Sequence, residues 1–175
     1  MEFVSCDPSN YRAGRTQPVR YIVMHYTANN GDTARNNCDY YHRVGGLQAS
    51  AHYFVDEHGA MQSVRECDTA WHCGARAYWH PECRNANSIG IEMCSRKRAD
   101  GSYYIKPETV ANAAALAPAR NPLALTKSLL AFSKPLLNLF YSILWFHSGS
   151  RLVPFWFHRR VEGHSGKGKK GGDGK

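Results

Sequence analysis

The apolar positions of this chain fall into short blocks separated by polar loops. "YIVMHY" (21–26) is rich in β-branched and aromatic residues and predicts a strand. "ANNGD" follows as a loop. Asp32 or Thr33 stands where it can cap a helix running to about Val44, with Ala34, Cys38 and Tyr41 along one face. Gly45 and Gly46 stop that helix. "SAHYFVD" (50–56) and "MQSVR" (61–65) predict a hairpin about the turn "EHGA". "AWHCGA" (70–75) and "YWHPECRNAN" (78–87) read as a long loop rich in His, Trp and Cys, and "SIGIEMC" (88–94) as the next strand. A turn is marked at Asp100-Gly101. "KPETVANAAALA" (106–117) then opens a helix, with Pro near its first position and Glu in its first turn. This alternation predicts an α/β fold with a mixed central β-sheet flanked by helices.

At Pro118 the texture changes. Residues 118–160 are apolar and nearly free of acid, without a clean helical period, and "GHSGKGKKGGDGK" is a flexible basic end. The pattern therefore divides the chain into a body, 1–117, and an apolar then basic Gly/Lys-rich tail, 118–175. The longest uninterrupted apolar core of the tail, "LLNLFYSILWF", has 11 residues, whereas a membrane helix needs roughly 20. Membrane contact through the tail is the poorer reading.

Charge follows the same boundary. The net +8 of the 175 residues is all in the tail: residues 1–117 carry 12 Lys+Arg and 12 Asp+Glu, and residues 118–175 carry 10 and 2. The pI near 9.3 thus describes the tail, and with no docking motif a nucleic-acid partner is not expected. "MEFVSCDPSN" has no apolar h-region, so no signal peptide is expected. The six cysteines, at 6, 38, 67, 73, 83 and 94, contain no C-x-x-C. Reduced thiols are the expectation, although Cys73 and Cys83 can bridge across a loop in an oxidising exterior.

Within this frame one residue is out of place. Glu92 interrupts the apolar run Ile89, Gly90, Ile91, Met93. Side chains alternate along a strand, so Glu92 sits on a solvated face or points into a site. His25 in the first strand, His52 in the second and Trp71-His72 in the loop are the other candidates. A single histidine on a strand is ordinarily a core residue with its hydrogen bonds met. If the strands are neighbours, however, these side chains converge at one end of a sheet. Histidines with a nearby carboxylate suit a zinc hydrolase, in which three protein ligands hold the metal and the carboxylate takes a proton from its water.

Five segments, "YIVMHYTANNGDTARNN", "SAHYFVDEHGAMQSV", "TAWHCGA", "HPECRNANSIGIEMCSR" and "GSYYIKPETVANAAALA", resemble in unbroken order the type-2 N-acetylmuramoyl-L-alanine amidases. These are the zinc amidases of phage endolysins and bacterial autolysins, related in fold to peptidoglycan recognition proteins. The resemblance covers residues 18–117. It implies hydrolysis of the amide between N-acetylmuramic acid and L-alanine, with bacterial peptidoglycan as partner and Zn2+ as cofactor. It implies that His25 is a zinc ligand, that Glu92 is the general base, and that Trp71 and His72 line the muropeptide groove. His52 falls near the cleft in a supporting role. A cytoplasmic protein released to the cell wall fits this family. The family's later motif, of the type H-[YW]-D-x-x-G-K-x-C-P, supplies further ligands and a lysine, and it is absent here. The later histidines are His147, His158 and His164, the last with Lys170 six residues on. The resemblance thus implies an amidase domain incomplete at its C-terminal side.

Overall fold

The computed structural model describes residues 1–74 and 80–120, together with two short strands at 130–132 and 153–154. In chain order the elements are β1 (Tyr11–Arg12), β2 (Tyr21–Tyr26), α1 (Ala34–Arg43), β3 (Tyr53–Asp56), β4 (Gly59–Gln62), β5 (Thr69–Ala70), β6 (Ser88–Met93), β7 (Arg96–Lys97), β8 (Tyr103–Tyr104), α2 (Pro107–Arg120), β9 (Leu130–Phe132) and β10 (Val153–Pro154). The main sheet has the order β10-β9-β2-β6-β3-β4. Strands β10, β9, β2, β6 and β3 run parallel to their neighbours, and β4 returns antiparallel to β3. The expected mixed α/β sheet is present.

Alternation sorts the side chains of the central strands into two layers. Ile22 and Met24 of β2, Ile89, Ile91 and Met93 of β6, and Tyr53 and Val55 of β3 pack with Val110, Ala113 and Leu116 of α2. This is the principal core. Its strands read as near-continuous apolar runs because both faces of a central parallel strand are covered. On the other face α1 sets Ala34 and Cys38 against Ala51 and Phe54. Of the two expected caps for α1, Thr33 is the one used: Thr33 Oγ1 accepts the Asn36 N–H at 3.0 Å. Asp56 Oδ2 also accepts the Ala34 N–H at 2.8 Å, tying α1 to the end of β3.

Several local expectations are corrected. The hairpin turns at Glu57-His58, so its second strand is Gly59–Gln62 and not 61–65. Asp56 Oδ1 accepts the N–H of His58 and of Gly59, and Gly59 takes φ +143° to start the return strand. Val64 instead enters a small cluster with Cys6 and Ala70. The first residues form a wall that the pattern did not announce. Val4 and Cys6 donate to the carbonyls of Gln62 and Ser63, and β1 pairs with β5. The Asp100-Gly101 turn proves to be the tip between β7 and β8. Helix α2 continues through Pro118 to Arg120.

Most of the tail, and with it His147, His158 and His164, lies outside the described residues. No helix among the described residues is long and apolar enough to cross a membrane. Membrane contact is not borne out among them.

Candidate functional site

The site is built on the face of the sheet opposite α2. His25 on β2 stands in register with Glu92 on β6, and Glu92 with Phe54 on β3. In parallel strands such partners project to the same face. His25 and Glu92 therefore come together near the carboxyl ends of two neighbouring strands, where open parallel sheets place their ligands. Glu92 is half-buried, while His25 is 6% exposed. Burial drives the His25 imidazole down to a pKa of about 4 and keeps it neutral at pH 7.

His72 lies beside them. Its ring lies over Gly90, the residue between Ser88 and Glu92 on the same face. A methyl group at Gly90 would lie 2.5 Å from His72 Cγ, so only glycine leaves room for the ring. His72 Nε2 is 3.1 Å from Ser88 Oγ, and Ser88 Oγ donates to the Arg84 carbonyl at 2.7 Å. Ser88 therefore accepts from His72, so the proton of neutral His72 is on Nε2. Its Nδ1, 3.1 Å from His25 Nε2, then accepts from His25. The network assigns a chain of donors, His25 to His72 to Ser88 to Arg84, and leaves the His25 lone pair on Nδ1. His72 is held well below the usual imidazole pKa, first by burial and then by the neighbouring His25, His52 and Arg15.

His52 closes the back of this group. It is fully buried, and its ring meets His72 edge-on at 5.7 Å between centroids. Gly90 N–H donates to His52 Nδ1 at 3.0 Å, and His52 Nε2 faces the Asp68 carbonyl at 3.3 Å. Arg15 crowds the same nitrogen, with Nη2 2.6 Å away. Burial, and then this guanidinium, lowers the His52 pKa to about 3. Arg15 also donates to the carbonyls of Glu66, Asn85 and Ala86, so one side chain ties the segment between β1 and β2 to both loops around the site.

The loop between β5 and β6 carries the remaining candidates. Asn85 Oδ1 accepts from the N–H of both His72 and Cys73, at 3.0 and 2.6 Å. Trp71 is half-buried and its N–H donates to Ser50 Oγ at 2.9 Å. With Gln48, Gly74 and Asn85 it lines an open hollow of about 370 Å³. Trp71 and His72, adjacent in sequence, thus face different surroundings: Trp71 a hollow, His72 the interior. Sequence reasoning had no signal for Arg15, Asn85 or Ser88. They act through backbone carbonyls, amides and one hydroxyl, and such partners are set by the path of the chain.

Among the described residues no group of three or more His, Cys, Asp or Glu side chains is arranged to hold a metal ion. Catalytic zinc takes about three protein ligands. The described residues do not by themselves fit a zinc ion.

Comparison with known proteins agrees with this fold. The profile of the N-acetylmuramoyl-L-alanine amidase family matches residues 15–123, more than half of the chain. This chain belongs to that family. It is 39% identical over 107 residues to N-acetylmuramoyl-L-alanine amidase CwlL of Bacillus licheniformis, covering 56% of this chain and 28% of the relative. It is 30% identical over 110 residues to N-acetylmuramoyl-L-alanine amidase AmiD of Escherichia coli, covering 57% and 38%. The chain thus spans little more than a quarter of the Bacillus licheniformis amidases it matches. Among solved structures, the catalytic domain of XlyA superposes with a TM-score of 0.55 at 26% identity, over 73% of this chain and 82% of that one. PlyL superposes with a TM-score of 0.55 at 23% identity, over 71% and 74%, and shares the fold.

Proposed function

We propose that this chain hydrolyses the amide between N-acetylmuramic acid and the L-alanine of the peptidoglycan stem peptide. The observation that carries the reading is the register of His25 with Glu92 on one face of neighbouring parallel strands. A half-buried carboxylate at the mouth of a neutral histidine cluster suits proton transfer. Glu92 would take the proton of the attacking water and return it to the departing alanine nitrogen, a role worth about 10²–10⁴ in rate. His72 and Ser88 would hold His25 in one tautomer. Trp71 would contact the glycopeptide at the hollow it lines. His52 would support the cluster from behind. With the family comes an expected zinc requirement, in which His25 is one ligand; the motif that supplies the family's other ligands is absent from the sequence, and activity is impaired to that extent. In the same reading residues 1–117 are the amidase portion, 118–175 a tail foreign to it, and the bacterial cell wall the place of action after release from the cytoplasm.

The test is cleavage of a defined muramoyl-peptide by the purified 175-residue chain, followed by mass spectrometry of the released peptide, with zinc counted per chain. The expected result is release of a peptide with an N-terminal alanine, lost in Glu92→Gln with metal content unchanged and with metal lost in His25→Ala. A chain that binds the muramoyl-peptide without cleaving it would replace this reading by a second one, a peptidoglycan-binding module. The lack of three metal-holding side chains among the described residues favours that alternative.

A further inference from the structure

Beside the histidine cluster lies a second pair of reactive groups that the hydrolytic reading does not use. Cys73 and Cys83 are each 1% exposed and pack together against Val23 in one apolar cluster. Cys73 Sγ lies 3.6 Å from Ser88 Oγ and 3.3 Å from His72 Nδ1, so the cluster abuts the histidines. Both are free thiols. The other buried cysteines sit elsewhere: Cys6 with Val64 and Ala70, Cys38 with Ala34 and Phe54, and Cys94 with its Sγ 3.5 Å from Asn37 Nδ2. Cys67 is exposed.

We infer that Cys73 and Cys83 form a redox-dependent disulfide that fastens the loop bearing Trp71 and His72 to the segment entering β6. The pair is already at side-chain contact, which most pairs of cysteines distant in sequence never reach. Cys73 is pushed up, first by the neighbouring Cys83 and then by burial, while Cys83 is lowered, first by Cys73 and also by Arg84 beside it. Either thiolate can open the exchange, and the same bridge results.

The chemistry balances with a small-molecule disulfide as oxidant. On the route through Cys83, its thiolate attacks one sulfur of the oxidant, a mixed disulfide forms, and one carrier thiolate leaves. Cys73 loses its proton and displaces the second carrier thiolate from Cys83. Two cysteine thiols are oxidised to one S–S bond, two electrons pass to the oxidant, and two protons end on its two thiols. The bridge closes a ring of about a dozen residues, which raises stability mainly by restricting the unfolded chain. Asn85, which holds the amides of His72 and Cys73, lies two residues beyond Cys83, so the bridge reinforces a connection the fold already makes. A chain kept reduced before release and bridged in an oxidising exterior would harden this wall where it meets its substrate.

The experiment uses the full 175-residue chain in glutathione/glutathione disulfide buffers from reducing to oxidising. Remaining thiols are alkylated, and trypsin cuts after Arg65, Arg76 and Arg84. The expected product is a disulfide joining the peptides 66–76 and 77–84, with fragmentation placing it on Cys73. It should persist in Cys67→Ser and vanish in Cys83→Ser. Its formation should raise Tm by about 5–10 °C in wild type and in Cys67→Ser. If Cys73 and Cys83 are recovered alkylated or singly glutathionylated under the most oxidising buffer, the inference is overturned. A link that maps to Cys67 overturns it equally. These readouts do not depend on hydrolysis, so they stand or fall apart from the amidase reading.

Discussion

Gly90→Ala isolates the contact on which the polar face of the sheet is built. The new Cβ would lie 2.5 Å from His72 Cγ and 2.7 Å from both Cδ2 and Nδ1. That is too close on the ring itself, not at the end of a flexible chain. His72 has little room to retreat, since Nε2 is 3.1 Å from Ser88, Nδ1 is 3.1 Å from His25, and Cys73 Sγ is 3.3 Å from the same Nδ1. Overpacking of this kind costs about 1–3 kcal/mol. The gain from a stiffer unfolded chain offsets about 0.4–1 kcal/mol of it. Gly90 has no positive φ that would penalise alanine, so the net loss is about 1–2 kcal/mol, a fall in Tm of about 2–8 °C. Urea unfolding followed by tryptophan fluorescence measures it. The decisive comparison is the same substitution in His72→Ala, where the ring is gone and Gly90→Ala should cost nothing or stabilise. An equal loss in both backgrounds, or none in either, would refute the packing of His72 on Gly90.

Three further outcomes follow from other parts of the molecule. Glu57 Oε1 accepts from Arg96 Nη2 and Lys106 Nζ, both at 2.9 Å, and the Lys106 bond leads the causes that lower its carboxyl to a pKa of about 2. Because that value is depressed from 4.5, its stabilisation is present above about pH 4.5 and lost towards pH 2; Glu57→Gln should cost about 1 kcal/mol at pH 7, and a gap from wild type that stays constant down to pH 2.5 refutes this. His52 is neutral in the fold with a pKa of about 3 against 6.5 when exposed, so stability present above pH 6.5 is lost as pH falls towards 3. His52→Gln should flatten the fall of unfolding free energy between pH 6.5 and 4.5 by up to about 1.4 kcal/mol per pH unit, and an unchanged slope counts against it. Finally, the abrupt change at Pro118 predicts that reading the coding DNA in another frame after codon 117 restores an H-x-D…G-K-x-C-P pattern; its absence from both other frames ends that idea.

The residue pattern alone determined the order of the principal elements along the body, from β2 and α1 through the β3–β4 hairpin and β6 to α2, the mixed α/β class, and the oddity of Glu92. It did so because burial on one face of a helix, or on both faces of a central parallel strand, writes a period into neighbouring residues. The Thr33 cap and the proline at the start of α2 were legible for the same local reason. Family resemblance then singled out His25 and Glu92, residues 67 positions apart that the β2–β6 register brings side by side. Only the tertiary structure decided that His72 is packed inside on Gly90 while Trp71 faces a hollow, since neighbours in an irregular loop obey no period. Only it joined Arg15 to His52 and to three carbonyls. These contacts link segments far apart in the chain, and what fixes them is how β1, the β5–β6 loop and the sheet pack together.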